Sequence, residues 1–187
     1  MFTFAVLMEQ VQLHDKHFTL KYPAAELDER IRLVAGQITH DYMGRKPIFL
    51  VVLNGAFMFA AGLIRNVCLD CEVSFVKLAS YHGTSSSGKV VGLIGLTEDL
   101  SGRDVILVED IVDTGTTLEH LLHEVGKQAP ASVTIATLLY KPEAYKKHFP
   151  IDYVGLEVPN EFLVGFGLDY DGLGRNLSAI YTLSASE

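Results

Sequence analysis

The sequence predicts an α/β fold built on a doubly wound, mainly parallel sheet, and three observations lead there. Val105, Ile106, Leu107 and Val108 form an uninterrupted apolar run, as does most of Pro47 to Leu53, the pattern of strands covered on both faces. Strand-like and helix-like segments then alternate through the middle of the chain. Finally, 187 residues with 49% hydrophobic and 20% charged side chains suit one globular domain, and no linker, repeat or low-complexity tract divides them.

In order, residues 24 to 43 carry apolar side chains at Leu27, Ile31, Val34, Ala35 and Ile38, a stripe at helical spacing. Pro47 to Leu53 reads as a buried strand, and Gly55 to Val67, rich in Ala, Phe and Met, as the helix after it. Residues 72 to 79 are expected as a strand, 80 to 89 as a Ser- and Gly-rich loop, and 90 to 96 as a strand followed by a turn at Leu100 to Arg103. Strand 104 to 109 feeds a helix over 116 to 127, and Ser132 to Tyr140 is the next strand. Strands near 152 to 157, 162 to 166 and 178 to 183 finish the chain.

Function concentrates in residues 104 to 117, Asp-Val-Ile-Leu-Val-Glu-Asp-Ile-Val-Asp-Thr-Gly-Thr-Thr. At the carboxyl end of a sheet strand, the amides of a Gly-containing turn entering a helix point outward as anion donors. Gly115 permits a backbone that a side chain resists, and the hydroxyls of Thr114, Thr116 and Thr117 can donate to phosphate oxygens. Glu109 and Asp110 beside that cradle would repel an anion unless they bind sugar hydroxyls or a divalent cation, so a sugar phosphate with Mg²⁺ is the economical ligand. Simple N-capping of a helix accounts for Thr114 and Thr117 but leaves three acids in the five positions from Glu109 to Asp113 unexplained.

Other features are set aside on chemical grounds. Gly83 to Lys89 spells G-x-x-x-x-G-K, but position 90 is Val, so the Mg²⁺-binding hydroxyl is missing, and Val90 to Ile94 reads as strand where a P-loop needs helix. Ser85, Ser86 and Ser87 suit an active-site flap instead. Cys68 and Cys71 are too few for a Cys₄ zinc site and read as two partly buried thiols. His120 and His123 lack the H-E-x-x-H order and read as a solvated helix face. Asn176-Leu177-Ser178 has the form of a glycosylation acceptor, without a secretory signal to expose it. A net charge of −8 disfavours nucleic acid, and the apolar Met1 to Met8 lacks the basic flank of a signal peptide and the length of a span. A cytoplasmic protein with no membrane partner is expected, in keeping with two cysteines.

With these residues in place, the chain resembles the hypoxanthine and hypoxanthine-guanine phosphoribosyltransferases of the type I phosphoribosyltransferase family, in the short form of bacterial members. The match lies in Leu53-Asn54-Gly55-Ala56-Phe57, Ser80-Tyr81, Glu109 to Thr117, Tyr140-Lys141 and Glu161 to Tyr170. The resemblance implies a single domain over 1-187, with a core over about 25-145 and a small hood from about 1-24 and 150-187. It also implies Mg²⁺-dependent transfer of 5-phosphoribosyl from phosphoribosyl pyrophosphate to N9 of a 6-oxopurine, with Asp113 as the base near N7. Glu109, Asp110, Asp113, Thr114, Gly115, Thr116, Thr117, Asn54, Gly55 and Arg175 would then bind phosphoribosyl pyrophosphate, and Ser80 and Tyr81 would head the flap. Lys141, Phe162, Leu163, Leu168 and Asp169 would bind the purine, Lys141 by donating to its 6-oxo group, and Asp169, Glu109 and Asp110 would serve the metal. Asn54 departs from the lysine of animal relatives, and the resemblance raises a cis Leu53–Asn54 bond and a homodimer or homotetramer. Open beside this reading are a regulator on the same fold, a transferase for another base such as xanthine, and the ranking of hypoxanthine against guanine.

Overall fold

The structure, a computed structural model, describes residues 9–82, 89–95 and 97–184. Its elements are β1 (Gln10–Leu13), β2 (Lys16–Tyr22), α1 (Ala24–Asp41), β3 (Ile48–Val52), α2 (Phe57–Asn66), β4 (Glu72–His82), β5 (Lys89–Ile94), β6 (Asp104–Val112), α3 (Thr116–Gly126), β7 (Ser132–Tyr140), β8 (Tyr153–Glu157), β9 (Leu163–Val164) and β10 (Ile180–Leu183). The main sheet has the order β5-β4-β3-β6-β7-β8, five parallel strands with β5 antiparallel at one edge.

Two-residue alternation sorts the buried runs to the two faces of this sheet. Phe49, Val51, Ile106 and Val108 pack with α1 and α2, while Ile48, Leu50, Val105 and Leu107 pack with Leu118, Leu121 and Val125 of α3. Helices on both faces and parallel central strands are the doubly wound arrangement that the apolar runs predict. Leu107 is fully buried at the centre of this sheet. Leu107→Ala should cost about 2–5 kcal/mol of stability, read as a lower urea midpoint with an unchanged slope.

A second sheet, β1-β2-β10-β9, is antiparallel and joins the two ends of the chain. The sequence reading places no strand before residue 24. Only Phe18 of β2 is fully buried, so the segment carries no apolar run, and its strand character comes from pairing with β1 and β10. The expected loop over 80 to 89 is shorter than its composition suggests. β4 and β5 form a hairpin whose ladder reaches His82 opposite Lys89, because pairing extends strand structure into polar sequence. Residues 83–88 of the proposed flap, and the Met1 to Met8 segment, lie outside the described residues.

Candidate active site

Strand order fixes where a ligand can sit. From β3 the chain crosses to β4 on one side, and from β6 it crosses to β7 and β8 on the other, so the sheet switches direction between β3 and β6. Open α/β sheets bind ligands at the carboxyl ends of strands flanking such a point. The loops there are Leu53 to Ala56 after β3 and Asp113 to Gly115 after β6.

The β6 loop lines a cavity of about 250 Å³ with Glu109 to Leu118. Gly115 is the N-cap of α3 at φ 81° and ψ 4°, in the left-handed region that favours glycine. Thr114, Thr116 and Thr117 are exposed, and the Thr116 amide donates to Thr114 Oγ1 at 3.4 Å. The turn therefore offers hydroxyls and helix N-terminal amides to an anion.

Glu109 and Asp110 lie within β6 rather than after it, because the ladder to β7 continues through Val112 opposite Tyr140. Burial, then the neighbouring Asp110 carboxylate, pushes Glu109 well above the usual carboxylate range. Asp110 is also raised by burial, against the opposing pull of the Ile111 amide, which donates to its Oδ1 at 2.9 Å, and of Arg175. Two adjacent acids so desolvated are expensive without a cation.

Asp113, three residues on, is half-exposed and meets Lys141 Nζ at 2.9 Å. Lys141 is buried, with only 9% of its side chain exposed, and its backbone amide donates to Val112 O at 2.9 Å. The sheet thus delivers the end of β7 against the end of β6. A ligand acceptor at the Lys141 ammonium must compete with the Asp113 carboxylate.

The third group comes from the segment after β9. Asp169 Oδ1 pairs with Arg175 at 2.7 Å, the Gly172 amide donates to its Oδ2, and another Arg175 nitrogen donates to Gly167 O. Arg175 therefore faces its own loop, as well as pulling on Asp110. A side chain on Gly167, at φ 103°, would collide with Gly55 O, so the two loops meet backbone to backbone. Gly55 in turn lies flat against the Asp110 carboxylate. The Leu53–Asn54 bond before it is cis, and Asn54 is exposed.

The remaining predicted residues are more scattered. Phe162 is exposed and packs with Phe18 and with the Tyr170 ring, edge to face at 5.9 Å. Leu163 is buried in β9, and Leu168 is partly buried against the core. Their backbone groups are already used in part, Leu168 O accepting from the Gly165 amide. Ser80 and Tyr81 sit in β4 opposite Val91 and Val90. Tyr145 and Lys147, which no sequence reading singled out, press on Gly115: a Cβ there would come within 2.6 Å of the Tyr145 ring and 2.8 Å of the Lys147 stem. The aromatic-basic run Tyr145-Lys146-Lys147 is the only local signal for them.

The phosphoribosyl transferase domain family matches residues 23–171. The hypoxanthine-guanine phosphoribosyltransferase of Streptococcus pneumoniae strain R6 is 42% identical over 84% of this chain and 88% of its own length. That of Streptococcus thermophilus strain CNRZ 1066 is 46% identical over 79% and 82%. Among solved structures, a Bacillus anthracis hypoxanthine-guanine phosphoribosyltransferase superposes with a TM-score of 0.81 at 34% identity, covering 88% of this chain and 98% of that one. The chain therefore belongs to the phosphoribosyl transferase family and is a transferase of its hypoxanthine-guanine phosphoribosyltransferase branch.

Proposed function

We propose that the protein is a purine-salvage enzyme that moves the 5-phosphoribosyl group from phosphoribosyl pyrophosphate to N9 of hypoxanthine, and of guanine, releasing pyrophosphate. It would do so as a single cytoplasmic domain, assembled as a homodimer or homotetramer. The observation that carries this reading is the Asp113–Lys141 pair at the mouth of the phosphate turn. It puts a carboxylate and a cation side by side where a base must meet the anomeric carbon. The family match and the helices of the described residues, none long and apolar enough to cross a membrane, support the same picture.

Roles follow from where charge develops. The bond from C1′ to the pyrophosphate oxygen breaks as N9 bonds to C1′, so the ribose becomes cationic and the leaving group anionic. The Thr114 to Thr117 turn holds the 5′-phosphate, and the Asn54 and Gly55 loop faces the pyrophosphate. Asp113, released from Lys141, accepts the proton the purine loses and favours the ribosyl cation. Lys141 donates to the 6-oxo group and disfavours a 6-amino group, which offers only donors. Phe162 stacks on the base, and Arg175, on leaving Asp169, reaches the leaving group.

The donor set fits Mg²⁺ shared with a substrate rather than a resident metal. Among the described residues no three acids, histidines or cysteines form a closed cage. Mg²⁺ commonly takes one or two carboxylates, with phosphates and waters for the rest. Glu109 and Asp110 would serve one Mg²⁺ and Asp169 a second, and when bound the ions would neutralise charge growing on pyrophosphate. The desolvated carboxylates of Glu109 and Asp110 support this.

A spectrophotometric assay with hypoxanthine, guanine, xanthine and adenine tests the reading. Nucleotide should form from hypoxanthine and guanine, fail with adenine, stop with chelator and return with Mg²⁺. No transfer to any 6-oxopurine would overturn it. Lys141→Ala should weaken purine binding by about 1.5–3 kcal/mol, roughly ten- to hundredfold, with little change for phosphoribosyl pyrophosphate. Equal losses for both ligands in calorimetry would assign Lys141 to the fold instead.

A further inference from the structure

The segment after Lys141 links the two halves of this site. The amides of Ala144 and Tyr145 both donate to Lys141 O at 3.1 Å, a tight turn hung on the lysine itself. One residue later the chain reaches the phosphate turn, where the Lys146 amide donates to Thr114 O at 3.3 Å. The Tyr145 ring and Lys147 stem lie against the α-carbon of Gly115, and Lys147 Nζ bonds Glu119 on α3 at 2.6 Å. The strap is stiff. Tyr145 stacks edge-on between Tyr140 and Phe149, with centroids 5.5 and 5.7 Å away, and its hydroxyl donates to Phe149 O at 2.7 Å.

We propose that Tyr145 is a positioning residue that couples the phosphate turn to Lys141, so that filling the turn raises affinity for the purine. The inference rests on the function proposed above. Gly115 has no side chain, so any shift of the turn toward α3 or away from it is felt directly by the Tyr145 ring. That ring shares a turn with Lys141, whose ammonium must leave Asp113 to meet a base. Coupling between two sites can run through an element that contacts both, and here the five-residue turn from Lys141 to Tyr145 does.

Ribose 5-phosphate, which has no leaving group, fills the turn without reacting. Calorimetry of hypoxanthine binding, with and without saturating ribose 5-phosphate, should show tighter binding in its presence for the wild-type chain. Tyr145→Ala should lower that gain at least about fivefold, the lower end of usual coupling, and Tyr145→Phe should keep it because the ring remains. Tyr145→Leu retains apolar bulk beneath Tyr140 without a flat edge on Gly115. It replaces the alanine variant, under the same criterion, where alanine prevents folding. A wild-type gain that survives in Tyr145→Ala, or no gain in the wild type, overturns the inference. Absence of ribosyl transfer with the coupling intact would instead defeat the functional reading alone.

Discussion

Asp113→Asn is expected to lower kcat by about 10²- to 10⁴-fold, the range for loss of a positioned general base. Asparagine matches the shape of aspartate, and its side-chain oxygen still accepts from Lys141 Nζ, so the 2.9 Å contact and the strand ends that make it are preserved. Two things are lost. The amide cannot take the purine proton, and it carries no charge to favour the ribosyl cation. Ground-state binding should move little by comparison. Phosphoribosyl pyrophosphate is held by the turn from Thr114 to Thr117 in this reading, and Lys141 remains in place to donate to the 6-oxo group. The signature is thus a fall in kcat with KM for both substrates nearly constant, the pattern of an interaction made in the transition state. Steady-state kinetics with hypoxanthine checks it. An unchanged kcat removes Asp113 from the chemistry, and a matched loss of thermal stability would point to the Lys141 pair as a structural one.

The parts of the site readable in sequence are those whose chemistry is local. Glu109 to Thr117 carries acids, hydroxyls and a glycine within one strand-to-helix connection, and the backbone at Gly115 shows the left-handed conformation that such a turn demands. The buried runs around Leu50 and Leu107 announce strands because burial on both faces removes the polar alternation. What escaped is set by contacts between distant segments. Pairing of β2 with β10 brings Phe18 and Leu183 into register across most of the chain, and nothing in Lys16–Tyr22 alone calls for it. The packing of Gly167 on Gly55 and the Tyr145 ring beneath Gly115 are likewise tertiary. Gly167, at φ 103°, meets the Gly55 loop more than a hundred residues away in the chain.

Gly55→Ala should damage the site strongly. The added methyl would overlap the Asp110 carboxylate, so the carboxylate or the loop must shift. Moving Asp110 stretches the hydrogen bond from the Ile111 amide to its Oδ1, at 2.9 Å, and turns a carboxylate already desolvated by β6. Moving the loop instead drives Gly55 O into Gly167, whose α-carbon it already touches. Overpacking of this kind costs about 1–3 kcal/mol of stability, so the chain still folds. Activity suffers more, because the shift is borne by the groups proposed to hold phosphoribosyl pyrophosphate and its metal. A misplacement of about 1 Å there can cost a hundredfold or more in kcat/KM. Gly126→Ala is the control: nothing lies within 4 Å of a Cβ at that position, which ends α3. It should leave activity intact and hold or raise stability by about 0.4–1 kcal/mol. Kinetics and thermal melts on the two variants separate the cases. A Gly55→Ala chain with wild-type kcat/KM for phosphoribosyl pyrophosphate would show that the close approach of the β3 loop to Asp110 plays no part in the reaction.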